Sequence, residues 1–238
     1  FSKLKSTLLF FIVIAGAITA VETSYLLNVE SADSPIASIY SFTFDILSGT
    51  ELFTSSQLFI VQSTLNAINL VGFMVVPFGM MAGCCIMHQI PLTLDKGPEY
   101  FLGRSEQLKK LITGGSAVMV IGIIHMQLWL NWPLSFVEET KEIIQLKSVT
   151  LLVCQYWGVS YSLIIAAVYL PAQSYLSNQA KLALLHGSDE ELKKEPTKWL
   201  IENNMLFSIA ASLPQIIAVI APMLVGSFGS TLSGLAFF

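Results

Sequence analysis

The chain has 238 residues, 54% hydrophobic and only 12% charged, with a net charge of −4. A soluble domain usually carries about 25% charged residues, so this composition leaves too little polar surface to cover a globule in water. The acidic balance and the short, mixed basic stretches also exclude nucleic acid as a partner.

The apolar runs predict an all-α integral membrane protein, a helical bundle of four or five transmembrane helices, with residues 1–238 as a single membrane domain. Each span needs about 20 apolar residues. The first run covers residues 8–27 and is interrupted by Glu22. Lys3 and Lys5 precede it, so a secretory signal is its rival reading. It is long for a signal core, however, and no clear small-x-small cleavage site precedes a soluble domain. An apolar-rich stretch at 36–47 follows and is expected at the membrane interface.

The second run, 58–87, is longer than a span needs and predicts a tilted or projecting helix. The third, 111–132, closes on Asn131-Trp132-Pro133, where Trp129 and Trp132 suit an aromatic belt. The fourth, 149–170, is expected to end at Pro171 and to continue as an amphipathic extension over 172–185. That extension opens a cytoplasmic linker, 172–204, in which Gly187 and Ser188 end one helix and Pro196 starts another. The fifth segment, 206–225, carries Pro214 and Pro222, each lacking a backbone donor. It reads as a kinked span, a re-entrant hairpin or a helix packed on the bundle.

Orientation follows from counting basic residues. With the N-terminus cytoplasmic and each segment crossing, the inside holds Lys3, Lys5, Lys96, Arg104, Lys109, Lys110, Lys181, Lys193, Lys194 and Lys198, ten of the chain's twelve. Only Lys141 and Lys147 fall outside. This positive-inside bias puts the protein in a bacterial inner membrane or a plasma membrane, with basic loops cytoplasmic. The outer loops, with Glu30, Asp33, Asp45, Glu51, Glu138, Glu139 and Glu142, are acidic.

Polar groups within the apolar runs are the candidate functional residues, because hydrocarbon penalises them. Gln62, Asn66 and Asn69 fall at i, i+4 and i+7, one face of a helix. Gln155 and Ser162, with Ser148, form a second stripe at spacings of seven. Such stripes either line a wetted pore or hydrogen-bond one helix to another, at about 0.6 kcal/mol per contact. Glu22 and His125 are the intramembrane ionisable groups. A carboxylate at Glu22 would attract cations or exchange protons, or be satisfied by a partner near the interface. His125 and His88 lie about 20 Å apart along the bundle axis at 1.5 Å per residue, too far to share one haem iron.

Gly79 and Gly83 make a G-x-x-x-G, which supports close helix packing or self-association and specifies no chemistry. Cys84, Cys85 and Cys154 lie in apolar runs without metal-ligand spacing and read as small hydrophobes. No zinc-protease, nucleophile-elbow, phosphate-loop or dinucleotide motif occurs.

The expectation is therefore a non-catalytic protein without cofactor or metal, whose partners are the bilayer and either further copies of itself or other membrane subunits. The leading reading is a self-associating protein that forms an ion or solute pore. The alternatives are an accessory or anchor subunit of a larger complex, docking through 172–204, and a small proton-coupled transporter.

Overall fold

In the computed structural model, residues 35–50, 52–88, 97–136, 141–187, 190–206 and 209–235 are described. All regular structure among them is helical, with no strand. The first predicted run, 8–27, and Glu22 lie outside the described residues, as do Lys3, Lys5 and Lys96.

The helices are α1 (Pro35–Gly49), α2 (Ser55–His88), α3 (Pro98–Asn131), α4 (Lys141–His186), α5 (Glu190–Lys194), α6 (Pro196–Glu202) and α7 (Ile209–Leu235), with a 3₁₀ turn over Pro133–Phe136. The core is a three-helix bundle of α3, α4 and α7. Helix α2 lies against α3, α1 sits over the 3₁₀ turn and the start of α2, and α5 and α6 fold back onto α4.

Among the described residues, two helical stretches are long and apolar enough to cross a membrane, Pro98–Phe136 and Ile143–His186, and a shorter apolar stretch runs over Ser212–Phe228. Helix α4, at 46 residues, is about 69 Å long at 1.5 Å per residue. That is more than twice the ~30 Å of a hydrocarbon core. The apolar span is followed by the expected amphipathic extension, and the two form one helix that runs through Pro171 to His186. Proline removes one N–H but leaves the preceding turn helical, and the 172–186 half is held by packing of Leu176, Ala180, Ala183 and Leu184 into the core. Helix α3 likewise starts at Pro98, well before the apolar run at 111. Pro98 takes the first helical position, where its missing N–H costs nothing, and Glu99 lies in the first turn, where a negative charge is favoured.

The polar halves of α3 and α4 meet at the same end of the bundle. Helix α3 ends at Asn131, as expected, and the chain turns through the 3₁₀ segment. Phe53, Trp132 and Phe136 form an edge-on cluster there with centroids 5.7–6.2 Å apart, and Tyr40 packs edge-on to Trp129 at 6.0 Å.

Candidate functional site

The polar chemistry of the chain gathers at three places: the crossing of α7 with α3 and α4, a cap at the end where the polar halves meet, and the opposite end of the α3–α4 interface.

At the crossing, Pro222 is one of two prolines inside α7. It has no N–H for the carbonyl of Ala218, four residues earlier. Ser116 of α3 makes good the loss: its hydroxyl donates to the Ala218 carbonyl. One residue on, the Met223 N–H donates to Ser162 Oγ of α4 at 3.1 Å. Both serines are buried. Where water is excluded, a freed backbone group needs a partner of this kind. The same crossing is held by glycines. A Cβ on Gly158 would lie 2.6 Å from the Pro222 carbonyl oxygen, and one on Gly226 would lie 2.6 Å from the Cys154 carbonyl oxygen. Backbones therefore touch directly, and any side chain at either position would force the helices apart.

The cap is built on a helix-ending turn. Helix α6 closes with the Met205 N–H on the Leu200 carbonyl at 2.8 Å and the Asn204 N–H on the Ile201 carbonyl at 3.0 Å. Asn204 takes φ 53°. This is the Schellman arrangement, in which a left-handed residue turns the chain and an apolar pair closes the turn. Here the pair is Leu200 and Met205, both buried. The carbonyls of the turn then face the long helices. Asn204 accepts from Lys109 Nζ at 2.7 Å. Met205 accepts from Gln173 Nε2 at 3.1 Å and from the Ser177 hydroxyl. Gln173 Oε1 accepts from Ser105 Oγ at 2.8 Å. The region expected as a linker, 172–204, is thus a folded cap joined to α3 and α4. Pro196 starts α6 as expected.

At the opposite end, His125 Nε2, Gln127 Nε2 and Thr150 Oγ1 are buried with no hydrogen-bond partner among the described residues. Gln127 and Thr150 belong to the facing buried stripes of α3 and α4.

Among known proteins, no family model, curated protein or solved structure matches this chain.

The predicted site residues are scattered among these places. Asn66 accepts a 2.9 Å hydrogen bond from the Tyr40 hydroxyl of α1. Gln62, Asn69 and Gln155 are half-buried on α2 and α4. Ser162 is at the α7 crossing, and His125 is half-buried on α3 near the 3₁₀ end. No group of three or more metal-ligating side chains occurs among the described residues, and Cys85 and Cys154 are free thiols. Sequence reasoning missed Ser116, Gln173 and Ser177. Ser116 carried a usable signal, since Pro222 announces a freed carbonyl that some nearby hydroxyl must fill. For the other two, the acceptor is a turn carbonyl that no residue type advertises.

Proposed function

We propose that the chain is a non-catalytic, multi-pass integral membrane protein that serves as an accessory or anchor subunit of a larger membrane assembly. In this reading α2, α3, α4 and α7 span the bilayer, with 8–27 as a fifth span, and the cap faces the cytoplasm. The observation that carries it is the division of polar groups. The serines and the glutamine at the crossing and the cap bond within the chain, while large apolar side chains point outward on every long helix. Phe59 on α2 is 69% exposed, Ile121 on α3 65%, Leu163 on α4 65% and Phe228 on α7 60%. Such a surface suits lipid and is unsuited to water.

The cap supplies a rigid, charged docking face. Lys181, Lys194, Lys198, Glu191, Glu195 and Glu202 are exposed on it, including the exposed Lys198–Glu195 pair at 3.4 Å. The test is extraction and co-purification. The protein should stay in the membrane pellet after alkaline carbonate and, gently solubilised, bring down a stoichiometric partner that charge-reversed Lys194 and Lys198 no longer hold. Recovery as a partnerless monomer would overturn the subunit reading.

A pore formed by self-association is the second reading, favoured by the unpartnered atoms of His125, Gln127 and Thr150, which are the kind that a water path would wet. Purified protein in planar bilayers would then show a conductance that Gln127→Leu and Thr150→Val abolish. A silent bilayer would remove this reading.

A further inference from the structure

Helix α2 does not lie flush along α3 and α4. At Gly83 it is close, and a Cβ there would touch Leu111 and Val168 at 3.8 Å. Towards Val71 the helices part and leave a cleft of about 570 Å³. Its walls are Val71 and Phe78 of α2 and Val118 of α3, its floor includes Ile112 and Ile165, and among the described residues no polar side chain lines it. Two adjacent glycines, Gly114 and Gly115, keep it open. A Cβ at either, or at Gly79 opposite, would meet nothing within 4 Å.

We infer that this cleft takes one acyl chain of an anionic phospholipid, with the phosphate at Lys110. Two observations support the choice. The apolar lining, whose only side-chain heteroatoms among the described residues are the thioethers of Met74 and Met119, offers no hydrogen-bond donor to the carbonyl of a quinone and no strong acceptor to the hydroxyl of a sterol, and an unpaired polar group buried there would be penalised. In addition, the open rim runs along Gly114 and Val118, and Lys110 precedes Gly114 by four residues, one turn along the same face. Lys110 is exposed and makes no hydrogen bond or ion pair among the described residues. A chain lying in the cleft brings its headgroup out beside that ammonium. Lys109, its neighbour, is committed to the Asn204 carbonyl, so the cationic contact falls to Lys110 alone.

The proposal rests on the membrane reading, and the two are tested separately. Carbonate-resistant sedimentation reports on membrane insertion and is indifferent to the cleft. For the cleft, the full chain is purified in detergent, exchanged with phosphatidylglycerol or phosphatidylcholine of identical acyl chains, and weighed by native mass spectrometry. One phosphatidylglycerol per chain should be retained about fivefold more than phosphatidylcholine, the preference that one lysine near a headgroup confers. Lys110→Gln should erase the preference and leave equal, weak retention of both. Gly114→Leu should abolish retention altogether. Its side chain enters open space, so thermal unfolding in lipid-free detergent should be unchanged or improved. Val118→Trp, which fills the cleft from an exposed position, provides a second occlusion. Equal retention of the two lipids by the unaltered chain would overturn the proposal. So would phosphatidylglycerol retention that survives both occluding variants, or a dimer that Gly114→Leu disperses.

Discussion

Pro222 and Ser116 are 106 positions apart in sequence, yet each accounts for the other. Without an N–H at Pro222 the Ala218 carbonyl has no helical donor, and the hydroxyl of Ser116 serves in its place. The coupling can be measured. Ser116→Ala should cost about 0.6–1.5 kcal/mol in detergent unfolding, the range for buried interhelical hydrogen bonds. Pro222→Ala restores the missing donor, so Ser116→Ala made in that background should cost markedly less. Additive costs in the double-mutant cycle would mean that the serine does not serve the freed carbonyl. Asn204 offers a second residue-scale test. At φ 53° a β-branched side chain is strained, whereas glycine and asparagine tolerate the left-handed region. Asn204→Val should therefore cost about 1–2 kcal/mol, and Asn204→Gly should stay within about 0.5 kcal/mol of the parent. Equal melting temperatures for the two variants would remove the turn from the account of the cap.

Between elements, the backbones of α4 and α7 meet at Gly158 and Gly226. The contact is backbone against backbone, so no rotamer can relieve an added side chain. Gly158→Val should destabilise by about 3 kcal/mol or more and sharply lower the folded yield. Gly79→Ala, which meets nothing, should be neutral or slightly stabilising through helix propensity. The comparison is read by fluorescence size exclusion and thermal unfolding of the two variants, and similar behaviour would place the close approach elsewhere. This pair also shows what the sequence could and could not reveal. Gly79 and Gly83 have the spacing of a packing motif, yet Gly79 faces open space and Gly83 makes ordinary contacts. Gly158 and Gly226 belong to no G-x-x-x-G, yet they carry the tight crossing, because close approach depends on both helices and spacing describes only one. The helix end at Trp132-Pro133 and the start at Pro196 were legible, since proline acts locally. The continuation past Pro171 was legible too, because the amphipathic pattern over 172–185 predicts the packing of Leu176 and Ala180 that holds the helix together. Ser162 was legible as a polar group in an apolar run, but its partner, 61 residues away, was set by the fold.

For the molecule as a whole, the distribution of charge along the long helices bears on how the bundle sits in a bilayer. Helices α3 and α4 together place Arg104, Lys109, Lys110 and Lys181 towards the cap end, while the aromatic cluster of Phe53, Trp132 and Phe136 marks the other. Aromatic rings favour the membrane–water boundary and lysines mark the cytoplasmic side. The two ends should therefore face opposite compartments, with the cap inside. Single cysteines at Lys198 in the cap and at Ser135 in the 3₁₀ turn, both exposed in the structure, test this in intact cells. A membrane-impermeant maleimide should label Ser135→Cys above the parental background, whereas Lys198→Cys should react only after the membrane is permeabilised. Labelling of both positions in intact cells, or of Lys198→Cys alone, would reverse or abolish the orientation argued from the basic residues. The helical architecture would stand in either case, because the serine, glycine and cap contacts that hold α3, α4 and α7 together do not depend on which side of the membrane the cap occupies.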